Sequence, residues 1–199
     1  MLNTSNFKII LASKSPRRQQ LIKELGFDYE IRVKEVNEDF DSSLKAHEIP
    51  IYLCTKKALA FEGEIKENEL LITADTIVWV NEEMVLNKPE NETDAFRMLS
   101  LLNGKQHKVY TGVCIKSSNN QHTFFDCTKV YFNKLSDEEI WYYIKKYKPF
   151  DKAGSYGVQE WIGYVGIEKI EGDFFNVMGL PMQLLYKELK SIIGKKADV

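Results

Sequence analysis

Between Leu70 and Val80 the chain reads Leu-Leu-Ile-Thr-Ala-Asp-Thr-Ile-Val-Trp-Val, an apolar stretch with one carboxylate, Asp75, inside it. The run has the length and composition of a long strand. Thr73, Asp75 and Thr76 interrupt it too often for a membrane span. An ionised carboxylate in such a setting is costly unless it is paired or bound to a metal. Asp75 is therefore the first candidate functional residue; its other reading is a strand-end or edge carboxylate that faces water.

The rest of the chain alternates strand and helix signals around this run. Phe7 to Ala12 is a short buried-strand pattern. Ser15 then suits an N-cap, Pro16 the first helical position, and Gly26 the helix end, with Leu21, Ile22 and Leu25 on one face. Tyr29 to Val33 reads as a second strand, and an acidic loop extends to about Glu48. Ile51 to Phe61 has helical periodicity and stops at Gly63. Asn81-Glu82 turns the long strand back through Met84 to Leu86 as a hairpin. A helix from Thr93 to Leu102 ends at Asn103-Gly104, and two β-rich segments follow, His107 to Lys116 and Thr123 to Phe132. Ser136 with Glu139 forms a capping box for a helix to Tyr147. A glycine-punctuated loop, a strand near Tyr164 to Ile170 and a helix begun by Pro181 complete the pattern. This alternation predicts an α/β fold with a mixed sheet, and the absence of a linker predicts one domain over 1–199, with room for two lobes.

Composition narrows the function. A formal net charge of -2 over 199 residues disfavours a nucleic-acid-binding module. Met1 to Ile10 lacks the pattern of a secretory signal. Cys54, Cys114 and Cys127 form no C-x-x-C pair, which predicts reduced, mostly core thiols in a cytoplasmic protein rather than disulfides or a zinc site.

The second candidate site is the turn after the first strand. A strand that feeds a tight turn and a helix collects backbone N–H groups and the positive end of the helix dipole at one point. Ser13 and Ser15 add hydroxyls there, and Arg17 and Arg18 offer forked donors for phosphate oxygens. Two arginines in a first helical turn oppose the dipole, and a bound anion reverses the sign of that cost. The alternative is a capped surface helix with two solvated arginines.

Leu11-Ala12-Ser13-Lys14-Ser15-Pro16-Arg17-Arg18, followed by Ala74-Asp75-Thr76, Lys88-Pro89, Gly104 with His107, Thr111-Gly112-Val113, Asp151 to Gln159, and Gly179-Leu180-Pro181, resembles the signature of the Maf family of nucleotide pyrophosphatases. The blocks occur in the family's order and span the whole chain. The resemblance implies a twisted mixed sheet with flanking helices, two lobes around a nucleotide cleft as in the Maf and inosine-triphosphatase folds, and a homodimer. It implies cleavage of a nucleoside triphosphate to the monophosphate and pyrophosphate, with Mg2+ or another divalent cation such as Mn2+.

Residue by residue, the resemblance gives Ser13, Ser15, Arg17 and Arg18 to the triphosphate, and makes Glu38, Lys57, Asp75 and Lys88 catalytic. Asp75 and Glu38 become the metal ligands. Gln159 matches the glutamine of the branch acting on dTTP and UTP; CTP and modified pyrimidine nucleotides are the nearest variations. Its amide carries one donor group and one acceptor, as the uracil or thymine edge does. Glu160 and Asn87 stand where the family has glycine, and Trp161 adds bulk beside Glu160. Read alone, Glu38 is a solvated loop acid, Lys88 an exposed loop lysine, and Lys56 and Lys57 are indistinguishable. His107 reads as structural, and Trp141, Tyr142 and Tyr143 read as helix packing. The competing functions are a pyrophosphatase for non-canonical purine nucleotides and a nucleotide-sensing, division-related binding protein.

Overall fold

The computed structural model describes residues 7–197; Met1–Asn6, part of the N-terminal stretch read above for a signal, lie outside the described residues. In chain order the elements are β1 Lys8–Leu11, α1 Pro16–Glu24, β2 Tyr29–Ile31, α2 Glu48–Leu59, β3 Glu69–Val80, β4 Met84–Leu86, α3 Glu92–Leu102, β5 Gln106–Lys116, β6 Gln121–Phe132, α4 Asp137–Tyr147, a short 3-10 turn Ala153–Ser155, α5 Trp161–Gly166, β7 Ile167–Glu171, α6 Phe174–Met178 and α7 Met182–Ala197. The seven strands form one mixed sheet in the order β2-β1-β3-β5-β6-β7, with β4 also paired to β3. Helices flank it, as expected for an α/β chain. No helix among the described residues is long and apolar enough to cross a membrane.

The chain divides into two compact units. The first holds the residues up to Asp75, Thr111–Asp126 and those from Gly179 onward; the second holds Thr76–Tyr110 and Cys127–Met178. In the first unit β1 pairs in parallel with β2 and β3, so Ile9 lies beside Tyr29 and Leu70. Its core includes Ile10, Cys54, Ala58, Phe61, Leu71 and Cys114. In the second unit β3 turns antiparallel into β4 through Asn81 and Glu82, both at positive φ, the geometry that a tight hairpin turn requires. Val78, Leu99, Val130, Tyr143 and Ile162 are part of its core.

Local signals explain most boundaries. Pro16 opens α1 behind Ser15. Ser15 itself makes no side-chain cap; the Ser13 hydroxyl accepts from the Ser15 N–H at 3.2 Å instead. The Ser136–Glu139 capping box is complete. Helix α2 starts at Glu48, earlier than its periodicity suggests, because Pro50 falls in the first turn, where its missing N–H is not needed. The strand expected near Tyr164 starts only at Ile167. Tyr164 and Val165 belong to α5, whose first turn directs the Gly163 N–H to the Glu160 carbonyl at 2.8 Å.

Two features fix α2 and the edge of β3. A Cβ at Gly112 of β5 would lie 2.5 Å from the Pro50 carbonyl carbon and oxygen, so strand and helix backbones meet where only glycine fits. At the other end, Glu69 is 2% exposed and receives both terminal nitrogens of Arg32, at 2.9 and 3.1 Å. Arg32 also donates to Glu30, which pairs with Lys8 at 2.5 Å, so one ionic ladder crosses β2, β1 and β3.

Gly112→Ala is expected to lower unfolding free energy by about 1–3 kcal/mol, the range for overpacking a fixed contact; chemical denaturation measures it. The Arg32 fork lowers the Glu69 carboxyl from 4.5 to about 2. Its contribution is therefore complete above pH 4.5 and is lost as pH falls through about 2. Glu69→Gln should cost about 1.5–3 kcal/mol at neutral pH, the range for a charge-assisted bond. The gap from the natural protein should close as denaturation curves are taken down towards that acid limit.

Candidate active site

Asp75 lies in the middle of β3, not at its end, and is 8% exposed. Its partner arrives from α2. Lys57 Nζ donates to Asp75 Oδ1 at 2.5 Å, and the same ammonium lies 2.7 Å from Glu38 Oε1. One cation thus gathers a buried strand carboxylate and a loop carboxylate that is 47% exposed. The two neighbouring lysines are no longer equivalent. Lys57 is 17% exposed and points inward, whereas Lys56 donates to the Asp39 carbonyl at 3.0 Å and lies over the Tyr52 ring. Glu38 is not simply solvated, nor does Asp75 face water.

The helix start reaches the same strand. Arg18 Nη1 donates to the carbonyl of Ala74, the residue before Asp75, at 2.8 Å. Its Nε donates to the Gly179 carbonyl at 2.7 Å. Burial pulls the Arg18 guanidinium below its ordinary pKa, and Asp75 opposes that shift. Arg18 is therefore more than a solvated helix cation: it joins α1 to β3 beside the carboxylate. The first turn of α1 holds no acidic residue to balance Arg17 and Arg18. Gln19, which the sequence reading passed over, donates to the Ser13 carbonyl at 3.1 Å and steadies the turn. Ser13, Ser15, Arg17, Arg18, Glu38, Lys57 and Asp75 all belong to the first unit.

Lys88 and Gln159 belong to the second unit. Lys88 is exposed in the loop after β4. Gln159 is half-buried, and its Oε1 is buried without a hydrogen-bond partner. A buried acceptor without a protein donor is expensive. Around it runs a polar network that includes Tyr143, a residue whose helix position reads as packing. Glu160 Oε1 is 3.1 Å from Lys152 Nζ, Glu160 Oε2 accepts from the Tyr143 hydroxyl, and that hydroxyl accepts from the Gly157 N–H at 3.0 Å. Trp161 packs edge-on against Tyr142. A polar bond from Tyr143 was hidden by its apolar helix face; the phenol on an otherwise buried stripe was the available signal.

The remaining candidates for chemistry are inert. His107 is buried with Nε2 2.7 Å from the Tyr156 hydroxyl, and burial depresses its pKa to about 3, so it is neutral and structural. None of the three cysteines is in a disulfide. Burial raises Cys54 to about 12 and Cys114 to about 11, so neither is a thiolate nucleophile at neutral pH. What remains is a cation–carboxylate cluster beside a basic helix start, a set suited to handling phosphate oxygens and a divalent cation.

Known proteins match this chain over nearly its full length. The family model for Maf-like protein matches residues 8–192. A dTTP/UTP pyrophosphatase of Phocaeicola vulgatus is 52% identical over 191 residues, covering 96% of this chain and 98% of that protein. Those of Flavobacterium johnsoniae and Bacteroides thetaiotaomicron are 51% and 50% identical, covering 94% and 96% of this chain and 96% and 98% of their own. Among solved structures, the Staphylococcus aureus Ham1 protein is similar over 63% of this chain and 71% of its own, at 14% identity and a TM-score of 0.44, too remote to bear on the site. The family's pattern thus runs from β1 into α7, through every residue of the cation–carboxylate cluster, and the chain belongs to the Maf-like protein family.

Proposed function

We propose that this protein is a nucleoside triphosphate pyrophosphatase that hydrolyses dTTP and UTP to the monophosphate and pyrophosphate, with CTP and modified pyrimidine nucleotides as secondary substrates. The observation that carries the proposal is the Asp75–Lys57–Glu38 cluster, joined through Ala74 to the basic start of α1. The relatives named dTTP/UTP pyrophosphatase support the choice of substrate. So does the unpartnered Gln159 Oε1, an acceptor suited to the N3–H of uracil or thymine.

The donor set suits magnesium or manganese. Asp75 and Glu38 offer hard carboxylate oxygens within reach of one cation, here the Lys57 ammonium. Among the described residues no three His, Cys, Asp or Glu side chains form a metal cage. That matches a cation held by one or two carboxylates and completed by water and phosphate. When bound, such a cation supplies charge neutralisation on the phosphates.

In the reaction, Asp75 orients a water and takes its proton as the water oxygen attacks the α-phosphorus. The bond from the α-phosphorus to the bridging oxygen breaks, and pyrophosphate leaves with the electron pair. Lys57, Arg17 and Arg18 offset the charge that develops on the phosphate oxygens, with Ser13 and Ser15 donating alongside. Lys88 as a further phosphate cation and Gln159 as the base-reading residue take their roles from the sequence resemblance. A cytoplasmic setting is supported by three cysteines that form no disulfide. A homodimer, implied by the same resemblance, completes the proposal.

A nucleotide panel with magnesium, following monophosphate, pyrophosphate and orthophosphate separately, tests this reading. Equal yields of monophosphate and pyrophosphate from dTTP and UTP are expected. Orthophosphate release overturns the bond assignment, preference for inosine or xanthosine triphosphate overturns the base assignment, and tight binding without turnover makes the protein a sensor. Asp75→Asn should lower kcat by about 10²–10⁴-fold, the range for a general base, in protein shown by circular dichroism to be folded at the assay temperature. Full activity in that variant removes Asp75 from the chemistry.

A further inference from the structure

The loop from Asp151 to Glu160 is held by side chains in a way that packing alone does not require. Glu160 is the N-cap residue of α5, yet its side chain makes no capping bond. It turns instead towards a buried lysine. Lys152, 8% exposed at its side chain, lies 3.1 Å from Glu160 Oε1 and 2.8 Å from Asp151 Oδ1. The second oxygen, Glu160 Oε2, accepts from Tyr143 of α4, and the Tyr143 oxygen accepts the Gly157 N–H at 3.0 Å. The Glu160 N–H returns to the Gly157 carbonyl at 3.0 Å, closing a turn over residues 157–160.

That turn contains Gln159. Its backbone carbonyl accepts from Tyr164 at 2.8 Å, so both flanks and the main chain of the residue are tied while its Oε1 has no partner. Gly157 is part of the same fitting: a Cβ there would come 2.7 Å from Glu160 Cδ, so the glutamate side chain lies where any larger residue would stand. A glutamine has three side-chain torsions, and ordering such a chain costs about 1.5–2 kcal/mol. A loop that is already fixed removes part of the ordering cost before the ligand arrives.

We propose that Glu160 is a positioning residue for base selection. Through Lys152 and the Tyr143 hydroxyl it holds the 157–160 turn in the conformation that presents the Gln159 amide. The proposal rests on the pyrimidine-reading role given to Gln159 above. Glu160 and Tyr143 act on the nucleotide only through that amide.

Glu160→Ala removes the carboxylate without removing a cap, and Tyr143→Phe removes only the hydroxyl. Steady-state kinetics of both variants with dTTP, UTP and a purine triphosphate should show KM for the pyrimidine nucleotides raised about tenfold with kcat within about twofold, the signature of lost uniform binding. Selectivity over the purine should fall with it. In a Gln159→Ala background the same substitutions should add no further loss, because the side chain they position is gone. Hydrogen exchange of the Gly157 amide supplies a readout that involves no nucleotide and should quicken in both variants. Unchanged KM values in folded variants, a KM rise that persists in full with Gln159→Ala, or undiminished Gly157 protection each overturns the positioning role. Failure of the natural protein to cleave dTTP or UTP overturns the functional reading instead, while the exchange experiment still decides whether the carboxylate holds the turn.

Discussion

The Lys57 ammonium sets the conditions for the rest of the first unit. A carboxylate in the middle of a buried strand cannot stay charged without a partner, and Asp75 is held by a cation that comes from a different element. The same cation holds Glu38, and with the Lys56 bond to the Asp39 carbonyl it ties the long irregular segment between β2 and α2 to that helix. Arg18 adds the second tie. By binding the carbonyl next to Asp75, it joins the basic start of α1 to the strand that carries the acid. Charged contacts thus join α1, α2 and the loop carrying Glu38 to one point on β3.

How far the sequence could be read depended on range. Hairpin, capping box and helix starts are encoded within a few residues: Asn81-Glu82, Ser136 with Glu139, and Pro16 behind Ser15 each behave as their local chemistry demands. Asp75 was visible because it breaks an apolar run. The partners of these groups were not. Arg18 and Gly179 are 161 positions apart, Lys57 and Asp75 are 18 apart, and nothing local to Lys56 and Lys57 tells which one turns inward. Family resemblance points to Lys57; in the fold it is Lys57 that reaches Asp75, while its neighbour lies over Tyr52 on the outer face of α2.

The misread segment has the same explanation. Tyr164 and Val165 favour strands by composition, yet they sit in a helical turn because the preceding 157–160 turn delivers the Glu160 carbonyl to the Gly163 N–H. Tyr143, taken for core packing, is indeed fully buried, but its oxygen joins Glu160 to the Gly157 backbone. Residue type predicted the ring's burial; only the fold could supply the partners of its hydroxyl.

The close contact between Gly112 and Pro50 has a mechanical side. Pro50 is in the first turn of α2, and Lys57 lies seven residues further along, about 10 Å down the helix axis. The contact acts as a fulcrum and the helix as a lever arm. A tilt of about 5° at Pro50 swings the far end by about 1 Å, enough to stretch the 2.5 Å Lys57–Asp75 hydrogen bond to the limit of its range. Aim at the carboxylate pair is therefore governed by a glycine that touches neither carboxylate, and the tolerance of the site is set by how firmly one strand and one helix backbone press together.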